Sequence, residues 1–485
     1  MDRNSTELVY EAVSKLKEDD MIKKPPHREI FTAQKALGLL LSLKLSKWQY
    51  ITLRESAIRE GLNNVYPSYY RVQQENKECY PAQCYSITVT DSSAKITLQA
   101  LLDLTVKRIM KCLPQDLHEK NLILLSKWGF DGASSQSRCK QKMKSTQNTD
   151  GDDSSIFMTS LVPLKMTCKE ETVWENPKPC LVSLCRPVQF LFVKETLRPT
   201  ECGSNTVRHK LMLTMIDAKV CTYISDAKSN ASCYVCLAKP SELNNLKAIV
   251  KRGTSDSMMD LGISSLHARI NMMECLLHIA YRLDVKVWSC KTKAQQDSRD
   301  ARKKIIQNRF KEEMNLLIDI VKQGHGTTND GNTARRFFEF PEKTAAIIGL
   351  DEELIRRFAV ILQAITSGEH IRVEKFKEYT YKTAERYVAL YNWYYMSSTV
   401  HKVLLHGSDI INQNKIKPIG KLSEEASEAR NKDFRRTRVH HSRQKSRVNS
   451  NEDILNFLLL SSDPLISSVR PMMDAKKRNF FSKKL

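Results

Sequence analysis

Four short, apolar, β-prone runs fall between Lys120 and Tyr223, in a chain whose other apolar residues recur mostly at helical steps. The runs are NLILLSKWGFDG, SIFMTSLVPLKM, CLVSLCRPVQFLFVKET and HKLMLTMIDAKVCTY, and turn-forming or polar residues bound each of them. The strands are grouped within about a hundred residues and are preceded and followed by helical stretches. They predict a mixed α/β core whose strand-rich part comes first. The first run ends in Asp131-Gly132, and the polar stretch SSQSRCKQKMKSTQNTDGDDSS after it reads as a loop.

The flanks are helical in pattern. The segment KALGLLLSLKLSKWQYITLRESAIREGL carries apolar residues at three- and four-residue steps, with Lys and Arg on the remaining faces. Such a basic region packs as an ordinary subdomain or lies along phosphates, and the charge pattern suits both. From about Ser241 to Ser398 the pattern is again helical, as in LHARINMMECLLHIAYRL and RKKIIQNRFKEEMNLLIDIVK, broken by the Gly-rich loop QGHGTTNDGNTARR. The expected division is an arm at 1–29, a helical region at 30–118, core strands at 119–240, a helical insertion at 241–415 and a C-terminal region at 416–485.

A formal charge of +22 over 485 residues favours a polyanionic partner, nucleic acid before anionic membrane. The longest apolar run, Leu37 to Leu43, is too short for a membrane span and is followed by Lys44. The N-terminus carries no signal-type apolar stretch, which predicts a reducing compartment, and the nucleus is the expected location. The 13 cysteines follow no framework spacing, so a disulfide scaffold is not expected.

Three groups of residues suggest chemistry. Asp131 follows LILLSKWGF and Asp217 follows LMLTMI, which places each near the exposed end of a buried strand. Carboxylates beside such runs need a partner or a metal. Two of them on neighbouring strands, joined by a glutamate from a later helix, could hold two Mg or Mn ions for phosphoryl transfer. Taken singly, Asp-Gly also reads as a turn. The segment SEEASEARNKDFRRTR, Ser423 to Arg438, supplies the glutamates, followed at once by cations. Glu428 is the preferred ligand, with Glu424 and Glu425 one turn away as alternatives, and Arg430, Lys432, Arg435, Arg436 and Arg438 are candidate phosphate contacts. The same order of charge also suits a surface helix capped by Ser423. The third group is Cys233 and Cys236 with the distant pair His401 and His406, a donor set for one structural zinc.

In this order the residues resemble the catalytic subunit of the V(D)J recombinase and the Transib-type DNA transposases. The closest local match is EARNKDFRRTR, where that family has its catalytic glutamate followed by an Asn-Lys and a Phe-Arg-Arg run. The resemblance makes Asp131 in GFDGASSQS the first catalytic aspartate, Asp217 in TMIDAKV the second and Glu428 the third acid. It makes Cys233, Cys236, His401 and His406 the zinc ligands. CLVSLCRP and the Leu-His of SSLHARI are weaker likenesses, and KLSKWQYITLRESA resembles the helical dimerisation and DNA-binding part. It implies an RNase H-like mixed sheet with a large helical zinc-bearing insertion and an N-terminal helical subdomain. The implied function is two-metal nicking and strand transfer at transposon ends by a homodimer on double-stranded DNA. The alternative is a domesticated, inactive DNA-binding protein. No RING-type cluster stands ahead of Ile30, which leaves recognition of DNA ends reduced or supplied by an accessory protein. Lys421 and Leu422 stand where the recombinase has an aromatic residue, which sets hairpin formation apart from the implied chemistry.

Overall fold

The computed structural model describes residues 31–62, 65–81, 86–114, 122–133, 155–169, 171–192, 208–216, 221–222, 224–225, 227–322, 326–414 and 417–470. The arm expected at 1–29 lies outside them. The chain divides into two compact units, one of residues 1–87, 97–119 and 455–485, the other of 88–96 and 120–454.

The first unit is helical. Its helices Ala33–Leu43, Lys47–Arg59 and Tyr69–Lys77 begin at Thr32, Ser46 and Ser68, whose hydroxyls accept the orphan N–H groups of the first turn. The long helical pattern breaks at Lys44, which is left-handed at φ 55°. A core of Ala36, Leu37, Tyr50, Val72, Cys79 and Ile466 holds the unit together. Beside it the fully buried Arg108 donates to Glu75 and Asp463, 2.8 Å to each. Those two carboxylates balance the charge of a guanidinium that would otherwise be very costly to bury.

The second unit carries a seven-stranded sheet of β1 (Ile87–Val89), β2 (Ser93–Ile96), β3 (Leu122–Ala133), β4 (Ile156–Cys168), β5 (Glu171–Glu175), β6 (Arg186–Leu191) and β7 (Arg208–Met215). The order is β1-β2-β6-β4-β3-β7, with β5 beside β4. β3, β4 and β6 are antiparallel neighbours, and β7 runs parallel to β3. The four apolar runs are thus four of the strands. The hairpin of β1 and β2, inside a stretch whose pattern is helical, and β5 are additions too short to show an alternation.

Leu124 to Lys127 of β3 are buried in succession, as in a strand covered on both faces. Pro163, without an N–H, sits in β4 where the register shifts between Leu125 and Ser126, and Asn176 donates to its carbonyl at 2.9 Å. Gly129 is dictated by β7: a Cβ there would lie 2.0 Å from the Met215 carbonyl oxygen, at the bulge between Trp128 and Gly129.

The rest of this unit is helical. Helix Ser265–Tyr281 is buried on most sides, and helices Gly331–Glu339, Glu352–Thr366 and Ser398–His401 pack on it. Two expectations change here. Helix Lys293–Met314 stops at the left-handed Asn315 instead of running on through LLIDIVK. The Gly-rich loop is half helix, because Asp330 caps Gly331–Glu339 by accepting from the N–H groups of Asn332 and Thr333.

Candidate active site and metal centre

Cys233, Cys236, His401 and His406 come together: one donor atom from each lies within 4.8 Å of every other, and all four residues are buried. The two cysteines occupy a tight turn in which Leu237 N donates to Cys233 O at 2.8 Å, Cys233 N donates to Ala238 O at 3.0 Å, and Leu237 is left-handed. The histidines are gathered by an irregular helix. At 3.6 residues per turn, five steps would leave them roughly 140° apart. Lys402–His406 is instead a π-helical turn, whose i→i+5 bonding brings positions five apart toward one side.

The polar surroundings select a ligand-ready form. His401 Nδ1 lies 3.2 Å from Leu243 O, so its N–H donates there and Nε2 faces Cys236 Sγ at 3.5 Å with its lone pair. His406 Nε2 is buried without a hydrogen-bond partner among the described residues, which leaves it available as a metal ligand. Hydrogen bonding from Cys236 holds the Cys233 thiol well below the usual range against the opposing effect of burial. Its bond to Cys233 and burial push Cys236 up. The group could hold a metal ion such as zinc, in a closed shell with no position left for substrate.

The acids form a different kind of place. Asp131 lies inside β3 opposite Met158 of β4, so Asp131-Gly132 is strand, not turn, because the β3/β4 ladder continues to Ala133. The last described β3/β7 pair is Gly129 with Met215, each two residues before an aspartate in sequence, and Asp217 itself lies outside the described residues. Across from β3 runs helix Glu425–His440, which packs on β3 and β4. Its Asn431 Nδ2 donates to Asp131 Oδ2 at 2.6 Å. Glu428 stands three residues earlier and so on the same helical face. Its side chain is 41% exposed, and its carboxylate meets Lys432 Nζ at 3.0 Å.

The alternative glutamates are placed otherwise. Glu424 is buried, with one oxygen accepting from the Ser264 hydroxyl and lying 3.0 Å from His267 Nδ1. Burial pushes its carboxyl up, but the bonds from His267 and Ser264 outweigh it and leave it below the usual range. Ser264 and Glu424 both face Nδ1 of His267, so the trio lacks the relay order of a hydrolase triad. Burial raises the Glu425 carboxyl, with Arg269 opposing. Ser423 is not the expected cap: Glu424 occupies that position, and Ser423 Oγ accepts from Glu425 N at 3.3 Å.

No protein-family model matches the chain, and no curated protein does. Among solved structures, the Drosophila P element transposase strand transfer complex is similar at a TM-score of 0.38 and 9% identity, covering 95% of this chain and 100% of that one. No helix among the described residues is long and apolar enough to cross a membrane.

The cationic run divides into two sets. Arg430 and Arg438 are buried: the first donates to Val182 O, and the second lies 4.5 Å from the Phe192 ring centroid. As candidate phosphate contacts they are corrected to framework residues, since the helix turns them toward the sheet. Lys432, Arg435 and Arg436 stay exposed, with Arg436 also 2.9 Å from Asp433. The helix is therefore not the plain surface helix its charge order also allowed.

Lys127 is the residue that sequence reasoning missed. Wholly buried in β3, its ammonium donates to Lys421 O at 3.0 Å and Ser423 O at 2.6 Å, fixing the entry of the glutamate helix. Burial lowers its pKa, opposed by Cys180, Cys185 and the two glutamates. Next to it Gly420 leaves no room for a side chain: a Cβ would lie 2.2 Å from Ser367 O. A lone lysine amid LILLSKWGF was the available signal.

Proposed function

We propose that the protein is a transposase-like DNA recombinase of the DDE type, akin to the V(D)J and Transib enzymes, in which Asp131, Asp217 and Glu428 hold the catalytic metals. The observation that carries this reading is the hydrogen bond from Asn431 to Asp131, which ties the first acid to a helix face bearing Glu428 one turn away. The strand order supports an RNase H-like core, with Asp131 on a strand set between an antiparallel and a parallel neighbour. The oxygen-only donors Asp131 and Glu428 fit Mg or Mn, and the Cys2His2 group fits one structural zinc. Bound there, two Mg or Mn ions supply an activated water or 3′ hydroxyl and charge stabilisation for the departing oxygen.

The chain's own residues do the rest. Asn431 orients Asp131 through a donor that carries no charge of its own, and Glu428 can exchange its exposed lysine partner for a cation. Lys432, Arg435 and Arg436 are positioned to take backbone phosphates just past the acids, which orients DNA without reading its sequence. Action in the nucleus as a homodimer, with an accessory protein at the DNA ends, belongs to the same proposal.

Nicking of duplex DNA that requires Mg or Mn, and that disappears in Asp131→Ala, Asp217→Ala and Glu428→Ala, is the expected result. Nicking that survives all three substitutions overturns the assignment. Intact DNA affinity without nicking under any divalent metal would instead make the protein an inactive, domesticated DNA-binding descendant.

A further inference from the structure

We propose that Asn431 is a positioning residue that sets the geometry of the metal-binding pair Asp131 and Glu428, an inference that rests on the catalytic reading above. Asn431 is buried, and its Nδ2 lies 2.6 Å from Asp131 Oδ2. The amide orientation follows from charge: the opposite flip would set a carbonyl oxygen against a carboxylate. Its Oδ1 is buried with no hydrogen-bond partner among the described residues, so the amide is held by its donor side alone.

A neutral donor suits this task better than a cation. An ammonium or guanidinium in place of the amide would compete with a divalent ion for Asp131, whereas an amide orients the carboxylate and itself adds no charge. Asn431 also stands three residues after Glu428, where side chains of one helix are neighbours about 5–6 Å apart at Cβ. One helical turn thus presents a ligand of its own and grips the ligand on the opposing strand. The hydrogen bond from Asn431 thus ties Asp131 to the turn that carries Glu428, in a helix whose entry Lys127 already pins.

The consequence falls on metal affinity, not on DNA affinity. The test is titration of the full-length, zinc-loaded chain with Mn, following loss of the free Mn signal by electron paramagnetic resonance, for the unmodified protein, Asp131→Ala, Asn431→Leu and Asn431→His. Asn431→Leu fills the same space without a donor and is expected to weaken the Asp131-dependent Mn site about 10- to 100-fold, while zinc content and DNA affinity are unchanged. Asn431→His returns an N–H near the same place and is expected to recover most of the loss. Should the leucine variant lose its zinc, Asn431→Ala is read by the same criterion. An Asp131-dependent Mn site whose affinity is the same with and without the Asn431 amide overturns the inference and leaves the catalytic reading standing. Mn binding indifferent to Asp131→Ala overturns the catalytic reading itself, and this inference with it.

Discussion

The Cys233–Cys236–His401–His406 group, which could hold a metal ion, and the Asp131–Asn431–Glu428 face, where we propose the catalytic cation, differ in nearly every respect. The first is buried throughout and built from nitrogen and sulfur donors, with its imidazole orientation fixed by a backbone carbonyl. The second is half exposed and built from oxygens, and its charged neighbour Lys432 is 76% exposed and free to swing away. The difference separates two jobs. A closed shell would commit a metal to architecture by joining Cys233 to His406 across a long helical stretch, while an open one would keep room for substrate.

The comparison breaks most visibly at the closed site. Cys236→Ser should remove the metal and cause cooperative loss of the helical region, since structural zinc contributes on the order of 10 kcal/mol in small domains. Metal content and thermal denaturation by circular dichroism check this. Lys127→Met comes next. It leaves the Lys421 and Ser423 carbonyls without their charged donor, at a cost of about 2–3 kcal/mol in chemical denaturation, with zinc retained.

The Glu424 contact with Ser264 and His267 predicts a pH dependence with a definite sign. Its folded pKa is lowered from 4.5, so the unfolded chain binds the proton first. The stabilisation is fully present above 4.5 and is lost as pH falls below that value through the depressed folded pKa. Thermal melts of Glu424→Gln against the unmodified protein across that window should converge as pH drops. The smallest effect is at Lys432. Lys432→Ala should change stability by less than about 1 kcal/mol and lower the salt dependence of DNA binding by roughly one phosphate contact. The same change at buried Arg430 should instead destabilise the fold by several times that amount, as denaturant midpoints would show.

These contrasts also mark what the sequence made legible. The strands of the core were readable because a strand covered on both faces is a continuous apolar run, as at Leu124 to Lys127. The Cys233, Cys236, His401 and His406 set was readable by residue type and spacing, but not the π-helical turn that brings His401 and His406 toward one side. Asp131 read equally well as a turn, because the partner strand that carries the ladder past it lies beyond a long polar stretch. Charge misled at three points. Lys127 is unmarked inside an apolar run, and Arg430 and Arg438 read as DNA contacts, although each is buried against groups remote in sequence. Long-range satisfaction of a buried charge leaves no local pattern to read.

The central claim is that the catalytic cation sits between β3 and the glutamate helix, and iron-directed cleavage of the polypeptide tests it most directly. Ferrous ion takes the place of Mg, ascorbate and peroxide generate radicals at the bound iron, and the cut sites are read by mass spectrometry. The expected result is cleavage beside Asp131 and around Glu428, suppressed by excess Mg and absent in Asp131→Ala. Cleavage confined to other segments, or unchanged by Asp131→Ala, would contradict the account.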